Sequence, residues 1–85
     1  MMHANQEQQL LRNLRVSLAD DARGFTVESA GPSGVLILNN GHYRGVWRWM
    51  GEVYSFTPGG YASSTHCSPT PQEAVRFTLD HVCRQ

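Results

Sequence analysis

The chain has 85 residues, with seven arginines, no lysine and seven acidic side chains, so it is near-neutral and sized for one small domain spanning residues 1–85. No stretch approaches the roughly 20 apolar residues of a membrane helix. The near-zero net charge also lacks the basic excess usual in nucleic-acid binders.

Residues 5–19 read as a helix. Leu10, Leu11, Leu14 and Leu18 recur at i, i+1, i+4 and i+8 and make one apolar stripe. Asp20, Asp21 and Gly24 mark its end. A competing strand over residues 12–18 has apolar even positions, and the helix is preferred. Ahead of this helix, the first residues show neither the basic start nor the apolar segment of a signal peptide, so a cytoplasmic location is the expectation.

Phe25-Thr26-Val27-Glu28-Ser29 alternates with period two and predicts a strand. Gly31-Pro32-Ser33-Gly34 is a turn. Val35-Leu36-Ile37-Leu38, apolar on both faces, suits an interior strand. Asn39-Asn40-Gly41 is the strongest hairpin signal, because Asn-Gly readily takes the positive φ angles of a type I′ turn.

A strand over residues 42–50 follows. By simple alternation Tyr43, Gly45, Trp47 and Trp49 share one face, and His42, Arg44, Val46, Arg48 and Met50 the other. Gly45 relieves crowding or permits a bulge. After a turn at Gly51-Glu52, residues 53–57 form the next strand, with Tyr54 and Phe56 on one face. Pro58-Gly59-Gly60 breaks it. Residues 61–67 read as a weaker, polar edge strand, whose Ser63-Ser64-Thr65 segment could accept a partner strand.

The last helix, residues 71–83, has a well-marked start. Thr70 caps the free amides, Pro71 suits the first position and Glu73 completes a Thr-x-x-Glu box. Ala74, Val75, Thr78, Leu79 and Val82 form its apolar stripe. The elements together predict an α+β fold in two layers: an antiparallel meander of four or five strands, with both terminal helices packed on one face. Trp47 and Trp49 are expected to face the C-terminal helix.

Catalytic chemistry finds little support. His66-Cys67 and His81-x-Cys83 are four candidate zinc ligands, but their spacing is not a common zinc pattern. A helix running back from residue 71 would also carry His81 and Cys83 far from His66. The same distance disfavours a disulfide, and two cysteines are too few for a disulfide scaffold, so both read as reduced thiols. Neither glycine-rich turn precedes a Lys-Ser/Thr phosphate loop, so no cofactor is expected. The acids Asp20, Asp21, Glu28, Glu52, Glu73 and Asp80 are scattered among turns and caps. The chain therefore reads as no enzyme, with no catalytic, cofactor or metal residues assigned.

Binding classes remain. Aromatic residues, Arg and Met are enriched at protein interfaces. With the tryptophan face covered by helices, Arg44, Arg48 and Met50 are left on an exposed sheet face, and Tyr54 and Tyr61 join them as candidate partner-binding residues. The leading reading is a small protein-binding domain with an accessory, regulatory or inhibitor role, in the manner of a bacterial or mobile-element protein. Self-association into a homodimer is a further expectation for so small a domain. The rival reading is a single-strand nucleic-acid binder that stacks bases on Tyr43, Trp47 and Trp49.

Overall fold

The computed structural model describes the backbone of residues 2–83 and the side chains of residues 5–83. Helix α1 (Met2–Ser17) leads into five strands: β1 (Phe25–Ser29), β2 (Val35–Asn39), β3 (His42–Trp49), β4 (Tyr54–Pro58) and β5 (His66–Ser68). Helix α2 (Pro71–Phe77) follows and runs on into a wider π-helical turn, Thr78–Val82. The strands form one antiparallel meander in the order β1-β2-β3-β4-β5. This is the α+β architecture that the sequence predicts.

The leucine stripe is what makes residues 2–17 a helix in place of a strand. Leu10, Leu11, Leu14 and Leu18 are all buried, and they meet Phe25, Val27, Val35 and Ile37 from the sheet. Helical spacing puts these leucines on one side, where burying each contributes about 1.5–3 kcal/mol. α1 covers β1, β2 and β3, while α2 packs beside α1 and against β5. Both helices thus lie on the same side of the sheet.

The β2–β3 hairpin turns at Asn40 and Gly41, whose φ angles are 52° and 86°. Two successive positive values match the type I′ geometry read from Asn-Gly. Beyond the hairpin the register slips. Leu38 pairs with Tyr43 but Ile37 pairs with Gly45, so Arg44 is an extra residue in β3. The cause lies across the sheet. A Cβ on Gly45 would stand 2.3 Å from Phe56 Cζ, so the aromatic ring occupies the space a side chain would need. The bulge lets β3 pass under that ring.

Three boundaries differ from the sequence reading. Met50 and Val53 lie outside the strands, in a tight turn closed by Met50 N–H to the Val53 carbonyl at 2.8 Å. The last strand is only His66–Ser68, because Tyr61 N–H folds back to the Pro58 carbonyl and residues 61–65 run exposed. The C-terminal helix widens at Thr78, where Cys83 N–H reaches the Thr78 carbonyl at 2.8 Å. The Thr78 hydroxyl meanwhile donates to the Ala74 carbonyl. Its start keeps the expected cap, with Glu73 N–H donating to Thr70 Oγ1 at 3.1 Å.

Candidate functional site

The core side of the sheet takes most of the aromatic run. Trp47 is fully buried, and its indole Nε1–H donates to Thr78 Oγ1 at 2.8 Å. Its ring also meets Phe56 at 5.1 Å and Phe77 at 5.9 Å between centroids. These tilted and edge-on contacts suit the aromatic quadrupole. Trp47 thus faces the C-terminal helix as expected. Trp49 does not. It is half-buried against Tyr54, 4.8 Å between centroids, beside the start of α1.

Tyr54 is a correction. It is fully buried, and its hydroxyl donates to the Gln6 carbonyl at 2.9 Å. It alternates with Ser55 onto the helix-covered side, so it belongs to no exposed surface. Burial, helped by the nearby charge of Glu7, raises its pKa.

The bulge separates the two arginines that alternation had placed together. Arg48 stays exposed and sits opposite Ser55 on the open face. The Arg44 guanidinium lies 5.8 Å from the Phe25 ring centroid, on the helix-covered side. Arg23 approaches the same ring at 5.4 Å and pairs with Asp21 at 2.8 Å. The bulge carries Tyr43 the other way. It pairs with Leu38 on the open face and does not share a face with Trp47 as alternation predicts.

The open face carries Thr26 and Glu28 from β1, Leu36 and Leu38 from β2, Tyr43, Val46 and Arg48 from β3, then Ser55, Thr57 and Cys67. Neither helix packs on it. Val46 keeps only 4 % exposure even so, because Leu36 and Thr57 flank it and Gly34 lets the chain close in. Tyr43 is 47 % exposed and leans over Gly59. Of the other candidates, Met50 is 62 % exposed just past β3, and Tyr61 is 64 % exposed in the loop after β4. The arrangement is an apolar centre with a polar, singly cationic border, and it suits macromolecular contact better than catalysis.

A groove of about 650 Å³ runs between β5 and the C-terminal helix, lined in part by His66, Phe77, Asp80 and His81. His66 stacks on Phe77 at 3.7 Å, and His81 tilts against the same ring at 4.9 Å. The expectation that His81 lies far from His66 is therefore overturned. The groove is a ring stack held by Phe77, which the sequence reading left out of the helix's apolar stripe. Among the described residues no set of three or more His, Cys, Asp or Glu side chains is grouped to hold a metal. Cys67 is exposed, while Cys83 is buried and its thiol is pushed up to about 11 by that burial. A thiol held protonated in this way is a poor nucleophile at neutral pH.

One residue that shapes the site escaped the sequence reading. Glu7 is buried, and its carboxylate accepts from Gly34 N–H at 2.7 Å, Trp49 N–H at 2.9 Å and the Ser33 hydroxyl at 3.0 Å. The signal was present: Glu7 falls in register with Leu11, Leu14 and Leu18, an acid at a core position of the helix.

Comparison with protein-family models, with curated proteins and with solved structures finds no match. Among the described residues no helix is long and apolar enough to cross a membrane.

Proposed function

We propose that this chain is a non-enzymatic protein-binding domain that acts as an accessory, regulatory or inhibitor protein in the cytoplasm. The observation that carries the reading is the one-sided placement of the helices. It leaves Leu36, Leu38, Tyr43 and Arg48 on an uncovered sheet face. A tyrosine and an arginine beside aliphatic side chains form the residue mix of protein-interface centres. Another protein is the occupant this mix favours. A base-stacking platform needs accessible aromatics with cations alongside. Trp47 has no exposed surface and Trp49 is half-buried, which weakens the oligonucleotide reading.

Affinity capture from native extract tests the proposal. Recovery of one protein in stoichiometric amount is expected. Recovery of nucleic acid alone, with salt-sensitive retention, would overturn it.

A further inference from the structure

β1 is an outer strand and pairs only with β2. The bonds at its ends show which backbone groups are free. Asn40 N–H donates to the Gly24 carbonyl, and Ala30 N–H donates to the Gly34 carbonyl. Even-numbered residues of this stretch therefore turn toward β2. Hydrogen-bonding direction alternates along an antiparallel strand. Phe25, Val27 and Ser29 accordingly turn their N–H and C=O groups outward, and no bond to another described residue is seen for them.

The opposite edge offers less. Trp49 N–H points to the β2 side, where Glu7 takes it, and the Phe56 carbonyl points to the β5 side, where Thr65 N–H meets it. By alternation His66 and Ser68 face β4, leaving Cys67 alone to face outward in β5. β1 has no proline, bulge or basic residue, and its one charged side chain is the exposed Glu28. A groove of about 320 Å³ runs along it, lined by Arg15, Leu18 and Ala19 and by three consecutive strand residues, Phe25, Thr26 and Val27. Consecutive residues of a strand line one groove when that groove follows the strand edge.

We propose that β1 pairs with β1 of a second copy of this chain, antiparallel, across a two-fold axis through Val27. The register is self-complementary. Val27 meets Val27, Phe25 meets Ser29, and each of these pairs exchanges both of its outward hydrogen bonds. On the open face Thr26 meets Glu28 of the second copy, so no acid faces an acid. The side chains of Phe25 and Val27 stay in the core, with 2 % and 5 % exposure, and the contact falls to backbone and to exposed Thr26, Glu28 and Ser29. The two sheets become one, with all helices on one side. This inference stands independently of what the open face binds.

The test is sedimentation of the full chain over a range of micromolar concentrations, with circular dichroism confirming the fold of each variant. The wild type is expected to dimerise. Thr26→Glu sets like charges directly opposite at both symmetry-related positions and should weaken the dimer about tenfold or more. The double variant Thr26→Glu/Glu28→Lys restores opposite charges and should recover it. A monomer throughout, a dimer indifferent to Thr26→Glu, or a loss that the double variant fails to rescue would each overturn the proposal.

Discussion

The buried carboxylate of Glu7 accepts the backbone N–H of Trp49 at 2.9 Å, and it takes Gly34 N–H as well. These two amides lie where β2 and β3 part. One helical side chain thus continues the ladder at the point where backbone pairing stops. It also ties α1 to the sheet through a contact stronger than neutral pairing, because the acceptor is an ionised oxygen.

Removing that acceptor strands buried amides. Each of the two lost partners costs about 1–3 kcal/mol, so Glu7→Ala should destabilise by about 2–6 kcal/mol. Glu7→Gln keeps one acceptor oxygen but turns an amide donor toward the remaining N–H groups, and should fall between wild type and alanine. Urea unfolding of the three proteins ranks them.

Trp47 should behave as a core residue throughout. Trp47→Ala removes a fully buried ring and should cost about 3–5 kcal/mol, enough to unfold a marginal small domain. Thr78→Val leaves the indole N–H without its acceptor and should cost about 1–3 kcal/mol with the fold retained. Near-ultraviolet circular dichroism and thermal melting separate the two outcomes.

Gly45 should tolerate no side chain. An added Cβ would stand 2.3 Å from Phe56 Cζ and 2.9 Å from the Thr57 carbonyl oxygen. The second contact is backbone and cannot swing away. Gly45→Ala should cost about 1–3 kcal/mol or more, and Phe56→Leu in the same chain should recover only part of the loss. Denaturant midpoints of the single and double variants measure the coupling.

The relation between sequence and fold is clearest at these same residues. The leucine stripe, the Asn-Gly hairpin and the Thr70 N-cap are local signals, and each formed as read. The bulge is different. Gly45 hints at it, but its position depends on the Phe56 ring from the next strand, a contact absent from any local window. One extra residue then moved Tyr43 to the open face and Arg44 to the covered one. Glu7 was missed because acids rarely sit in a core stripe, and its partners arrive 26 to 42 residues later in the chain.

Alkaline pH should weaken the fold through Cys83. Its folded pKa is raised to about 11 from an ordinary value of 9.0. The stability this gives is complete below about pH 9, where both states keep the proton. It is lost as pH rises toward about 11, because only the unfolded thiol ionises in that window. Tyr54, raised by the same kind of burial, acts in the same direction at higher pH. Cys83→Ala should flatten the decline between about pH 9 and 11, measured by urea midpoints at each pH.

The open face is tested most directly by changing it without touching the core. The protein captured by the wild-type chain is titrated against three variants: Tyr43→Ser, Arg48→Glu and, on the far side of α1, Val16→Glu. All three positions are exposed, so folding should be unaffected. Interface anchors of these types commonly carry about 2 kcal/mol or more. Binding should therefore weaken at least about tenfold for Tyr43→Ser and Arg48→Glu, and remain at wild-type strength for Val16→Glu. Full binding by both open-face variants, or loss confined to Val16→Glu, would contradict the proposed use of this face.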